Sequence, residues 1–116
     1  MLSVCTEFRG GILFVRLKGH LNKETVIKFE KRVTNIVKKN KIRNIVFNFS
    51  NLKYIDIKGV NAIFYNYELC KFNEGRSLIC GNNDKIRNKL KSSRLINYVY
   101  EVTDELNAMK ILNLRW

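Results

Sequence analysis

Four residues near the middle of the chain, Asp56-Ile57-Lys58-Gly59, place a carboxylate, an ammonium and a glycine side by side. A carboxylate there can cap a helix or accept from a partner, and a glycine lets another backbone come close. The segment before them, "NIVFNF", has the β-branched and aromatic make-up of a buried strand. After them, apolar residues recur at helical spacing from Ile57 onward, so the four residues fall on a strand-to-helix junction. The lysine then stands at a helix start, where the dipole disfavours positive charge by ~0.3–1 kcal/mol when exposed. Three readings of Lys58 are open: a solvated surface residue, a contact to an acidic partner, and a reactive or modified lysine. For Asp56, helix capping is the economical reading and a partner contact the richer one. Gly59 allows either close helix packing or unhindered approach of a partner.

Catalysis has little else to work with. His20 is alone, the ten acids are scattered, and "RGGILF" has the character of a turn between strands rather than a phosphate loop. The three cysteines, Cys5, Cys70 and Cys80, show no Cys-x-x-Cys spacing, and with one histidine they make no zinc set. They are expected to be free, buried thiols in a reducing compartment. The chain is therefore expected to be a non-enzyme with no metal and no cofactor. Its formal net charge of +12 over 116 residues points to an acidic partner, whether protein, nucleic acid or anionic membrane. A composition rich in Lys, Asn and Ile, the residues of AT-rich codons, is an alternative source of that charge. No apolar run approaches the roughly 20 residues of a membrane span. The first ten residues lack a secretion-signal layout, so a cytoplasmic protein without membrane insertion is expected.

Around the junction the elements follow in a legible order. "SVCTEF" and "ILFVRLKG" are expected as two strands joined through Gly10-Gly11, a hairpin signal. Residues 22–39 are expected as a helix capped by Asn22, with Val26, Phe29, Val33, Ile36 and Val37 inward. Its lysines fall mostly off that stripe and form a solvated face. "RNIVFNF" is a central strand, covered on both faces. A second helix runs from near Ile57 to before Gly75, and "RSLIC" is a buried strand. A short helix capped by Asp84 follows, holding Ile86 and Leu90 inward. "YVYEV" is a last strand. "TDELNAMKIL" is a last helix, capped by Thr103 or Asp104, with Leu106, Met109 and Ile111 or Leu112 inward. The hairpin followed by alternating helices and strands implies an α/β chain. It would form a single domain over 1–116, with a mixed central sheet of about five strands and about four helices.

The second helix carries two apolar stripes. At about 100° per residue, Val60, Ile63, Phe64, Tyr67 and Cys70 fall together as the core side. Lys58, Ala62, Tyr65, Leu69 and Phe72 fall on the other. A surface helix needs only one such stripe, so the second is either a protein-binding face or a side that neighbouring helices cover. The basic run "DKIRNKLKSSR" lacks interleaved aromatics and any nucleic-acid reader motif, and is expected to be solvated.

These residues, in this order, resemble the STAS domain of bacterial anti-sigma factor antagonists. "VRLKGHLNKETV" resembles the family's strand, Gly-x-Leu and polar turn into the first helix. "IRNIVFNFSNLKYIDIKGV" resembles its central strand, Asp-Ser-Ser-Gly loop and second helix. "GRSLIC" and "TDELNAMKIL" resemble its next strand and closing helix. The resemblance implies the STAS fold and a regulator that binds an anti-sigma factor, itself a serine kinase, and so frees a sigma factor for transcription. In the family a serine of that loop is phosphorylated, which puts about −1.5 to −2 charge into the interface. Here Ile57 and Lys58 occupy the two serine positions, Lys58 standing where the phosphoserine would be. Asp56 and Gly59 remain, and the turn after Gly19 has His20 and Asn22 where the family favours acids. The loop match and the second stripe of the helix together give the expected partner-binding residues Asn22, Asp56, Ile57, Lys58, Gly59, Ala62, Tyr65, Leu69 and Phe72, with no phosphorylation switch at position 58. Two alternatives stand beside this: a basic nucleic-acid-binding domain, and a STAS subunit of a transporter or larger signalling complex.

Overall fold

The computed structural model describes residues 1–113; positions 114–116 of the domain predicted over 1–116 lie outside the described residues. Strands β1 (Leu2–Arg9) and β2 (Ile12–Leu21) pair antiparallel, from Leu2 opposite Gly19 to Arg9 opposite Ile12. Gly10 and Gly11 turn between them with φ of 59° and 79°, values a two-residue hairpin loop needs and side chains resist. A first helical rod follows in three parts: α1 (Val26–Phe29), a π-helical turn (Glu30–Thr34) and α2 (Asn35–Asn40). Next come β3 (Asn44–Ile55), α3 (Ile57–Phe72), β4 (Ser77–Cys80), α4 (Asp84–Ser92), a 3-10 turn (Leu95–Asn97), β5 (Tyr100–Val102) and α5 (Glu105–Asn113). The strands lie in the order β1-β2-β3-β4-β5, all parallel except the first pair. This is the expected mixed five-stranded sheet, with four helices when the rod counts as one.

Alternate residues of the central strands feed two cores. Leu13, Val15, Leu17, Ile45, Phe47, Phe49 and Ile79 meet the first rod, α3 and α4 on one face. Ile12, Phe14, Val46, Leu78 and Cys80 meet α5 on the other. Strands buried on both sides have nearly unbroken apolar sequence, which is why β2 and β3 stood out.

Several expectations need correction. β3 does not stop at Phe49; residues 50–55 continue it beside β2, with Gly19 opposite Leu52 and Leu21 opposite Ile55. Two register shifts in that pairing break the period-two pattern and hid the extension. The α4 cap is Asn83, whose Oδ1 accepts from Ile86 N at 2.9 Å, while Asp84 sits inside the first turn and pairs with Arg87. Of the two candidate caps for α5, Asp104 accepts from Asn107 N at 2.8 Å. Leu106 is exposed; Ala108 takes the inward position, and Leu106 lies 200° around the helix from it. Cys70 and Cys80 are buried, and burial pushes their thiols up to about 11 and about 12. Cys5 is exposed, because it lies on the uncovered side of edge strand β1.

The basic face of the rod is not wholly solvated either. Lys28 Nζ donates to Leu2 O at 2.7 Å and Arg32 Nη2 to Val4 O at 3.4 Å. Both carbonyls point off the outer edge of β1, so these cations cover an otherwise unpaired strand edge.

Candidate partner-binding site

The loop 56–59 is built by the ends of β2 and β3. Their parallel pairing brings Leu21 beside Ile55, and Asp56 N extends the ladder by donating to Leu21 O at 3.2 Å. Asp56 keeps an extended backbone and caps α3, its Oδ1 accepting from Gly59 N at 2.9 Å. Its other oxygen accepts from Lys23 N at 2.9 Å. One carboxylate therefore staples the turn after β2 to the turn after β3, and both its oxygens are engaged within the chain.

Asn22 organises the facing turn. Its Oδ1 accepts from Glu24 N at 2.9 Å and Thr25 N at 3.1 Å, and its carbonyl accepts from Val26 N at 2.8 Å. The N-cap position of α1 is Thr25, not Asn22 as expected; Asn22 instead closes the turn that leads into the helix, because residues 22–25 form that turn before helical geometry begins at Val26. Gly59 is buried, and a Cβ there would lie 2.5 Å from Leu21 O and 2.8 Å from Ile55 Cγ1. Close packing of α3 on the sheet accounts for this glycine.

Ile57 and Lys58 face outward on the first turn of α3, Ile57 with 52% of its surface open. Beside them Tyr54 stands edge-on to His20, ring centroids 6.2 Å apart. Lys23 and Lys53 are also exposed on these loops. The end of the sheet is thus a small apolar and aromatic surface among lysines.

The predicted second stripe of α3 divides. Tyr65 and Phe72 are exposed, and the Lys38 ammonium sits 5.2 Å from the Tyr65 ring. Ala62 is buried, and Leu69 is half-buried against the core, because the first rod covers that flank. The open face runs instead through Ile57, Lys58, Asn61, Tyr65, Glu68 and Phe72. Asn61 and Glu68 escaped the sequence reading because Asn66, polar yet fully buried, shifts the core direction of the helix toward Ala62. Asn66 Nδ2 donates to Thr34 Oγ1 at 3.0 Å and to Ala62 O at 2.8 Å. The π-helical turn makes that possible by turning both Val33 and Thr34 inward.

A second polar network, also missed, holds α5. Arg16 on β2 donates from Nε and Nη2 to the two oxygens of Glu105, both at 2.8 Å, and from Nη1 to Glu7 at 3.0 Å. Asn48 on β3 adds a 2.7 Å bond to Glu105. The Arg16 guanidinium, opposed by partial burial and helped by Asn48, holds the Glu105 carboxyl below its usual range. This network lies on the α5 face of the sheet and takes no part in the loop. Among the described residues no group of His, Cys, Asp and Glu is placed to hold a metal, and no helix is long and apolar enough to cross a membrane.

The sheet order, the hairpin and the Asp-x-x-Gly helix start are those of a known class. The STAS domain family model matches residues 3–108, and the chain belongs to that family. An anti-sigma F factor antagonist of Paenibacillus polymyxa is 26% identical over 113 residues, 97% of each chain. The structure of an anti-sigma factor antagonist from Mycobacterium paratuberculosis superposes with a TM-score of 0.88 at 14% identity, over 98% of this chain and 96% of that one. The Bacillus cell fate determinant SpoIIAA, in its phosphorylated form, does so with a TM-score of 0.74 at 18% identity, over 94% and 99%. At these identities the two structures speak for the fold.

Proposed function

We propose that this chain is a non-catalytic regulator that binds an anti-sigma factor of the serine-kinase type, through the loop 55–59 and the open face of α3. The observation that carries this reading is the surface itself: Ile57, Tyr65 and Phe72 lie exposed along one helix that begins at the family's switch loop. A monomeric soluble chain rarely leaves such residues in line without a partner. The Paenibacillus relative, named as an antagonist, supports the same role. Lys23, Lys53 and Lys58 surround the loop, while its one central acid, Asp56, is held by two backbone N–H groups. The matching surface of the partner is therefore acidic.

Lys58 stands at the family's phosphoserine position and has no hydroxyl to phosphorylate. Binding is then constitutive, set by abundance rather than by a switch at this loop. The test is to incubate the chain with ATP and the serine-kinase anti-sigma factor of its own organism. A stable complex is expected with no phosphate on residues 50–60, weakened about tenfold or more by Tyr65→Asp or Phe72→Asp. Phosphate on the loop would overturn the switchless reading. Absence of a complex, or equal binding by the variants, would overturn the site.

A further inference from the structure

The flank of α3 turned toward the 3-10 segment carries more aromatic surface than the core covers. Phe64, Tyr67 and Tyr98 form a cluster, with ring centroids 5.3 Å apart for Phe64–Tyr98, 5.5 Å for Phe64–Tyr67 and 5.9 Å for Tyr67–Tyr98. Tyr98 is 54% exposed, and Phe72, further along the helix, 87%. Two open cavities of about 300 and 390 Å³ share Phe64 and Tyr98 as a common wall. The first reaches back to Val60 and Arg94, the second forward to Lys71 and Phe72. They follow one another along α3, centred roughly two turns, ~10 Å, apart.

The charges of the groove are uneven. Arg94 borders the first cavity, and Lys71 and Glu68 the second, so two cations face one acid. Neither Arg94 nor Lys71 has a carboxylate within ion-pair distance among the described residues. Arg94 has a φ of 66°, the left-handed turn with which α4 ends just after its C-cap Ser93, and this turn sets its side chain beside the groove.

We propose that this groove receives an amphipathic helical segment of a protein partner. Two apolar side chains, two turns apart, fill the two cavities, and carboxylates of the segment meet Arg94 and Lys71. The groove borders the open face of α3 and shares Asn61, Glu68 and Phe72 with it, but Phe64, Tyr67, Tyr98 and Arg94 belong to the groove alone, so Tyr98→Ala and Arg94→Glu test it separately from the interface at the loop. Charge complementarity selects an acidic segment over a basic one. The geometry of the rings favours a peptide over single-stranded nucleic acid. The three clustered rings lean on one another at 31°, 54° and 76°, whereas base stacking calls for free ring faces.

The test is selection of a displayed library of random peptides, about four helical turns long, on the full chain, with Tyr98→Ala as counter-target. Tyr98, Phe72 and Arg94 are exposed, so Tyr98→Ala, Phe72→Ala and Arg94→Glu should fold, which far-UV circular dichroism checks. Selected peptides are expected to carry apolar pairs two turns apart and flanking Asp or Glu, and to bind wild type at least about tenfold tighter than each variant. Failure to enrich peptides that depend on Tyr98, or enrichment with no acidic bias, would overturn the proposal. So would a labelled oligothymidylate that binds wild type and loses binding in Tyr98→Ala while no peptide competes; the groove would then be a nucleic-acid site.

Discussion

Asp56 and Gly59 hold the loop in shape by different means, and their variants should fail differently. Asp56→Ala removes a helix cap and the bond that joins the two turns. A loss of about 1–3 kcal/mol is expected in urea unfolding. Asp56→Asn, which keeps an acceptor, should recover part of it. Gly59→Ala adds a Cβ against Leu21 O and Ile55 with no room to yield, and overpacking of this kind costs about 1–3 kcal/mol. A Gly59→Ala protein as stable as wild type would return this glycine to the partner-approach reading. The residue types at this loop were legible in the sequence because capping and close approach each demand a particular side chain. What Asp56 does with its second oxygen was not. Lys23 lies 33 positions earlier in the chain and contributes a backbone N–H, which leaves no trace in sequence.

The elements were legible where one periodicity runs unbroken, and obscured where a polar residue is buried or a ladder slips. The rod shows this. Val33 and Val37 announced a helix, but nothing in "EKRVT" announces a wide turn, which brings Thr34 to Asn66 on another helix. The consequence is measurable. Asn66→Ala strands the Thr34 hydroxyl in a buried interface and opens a gap, and should cost about 1–3 kcal/mol. Thr34→Val, nearly the same shape, leaves Asn66 still donating to Ala62 O and should cost about 1 kcal/mol or less. Equal losses would mean that the pair does not set the rod against α3. The attachment of α5 gives a second case. Glu105 is held below its usual carboxyl range by Arg16, so its contribution to stability is present above the unfolded-state value, about 4.3, and fades as pH falls through the lower folded value. The stability difference between wild type and Glu105→Gln should therefore be flat from pH 7 to about pH 5 and shrink below about pH 4. Urea midpoints along a pH series read this directly, and a gap that widens toward acid would contradict the assignment.

At the scale of the whole molecule the charge of +12 is distributed by residue type. Every ion pair among the described residues uses Arg9, Arg16 or Arg87, and all lie around β1, β2, α4 and β5–α5. No described lysine has a carboxylate within 4.0 Å, so the lysines of the rod, the switch loop and α4 act as unpaired positive charge. The molecule measures 38 × 29 × 22 Å. At about 0.01 M salt the screening length is ~30 Å, so these charges repel one another across the entire fold; at 0.15 M it is ~8 Å, and they scarcely interact. Two effects of salt then compete. Screening weakens the arginine pairs, which are few and partly shielded from solvent, and relieves repulsion among many exposed lysines. The second should win, so the urea midpoint should rise as sodium chloride is raised from about 0.01 to 0.15 M. Over the same range, association with an acidic partner at the switch loop should slow, because screening removes the attraction that steers it. A midpoint that fell with salt would assign the stability to the arginine pairs. An association rate unmoved by salt would reduce the lysine excess to composition, with no part in finding the partner.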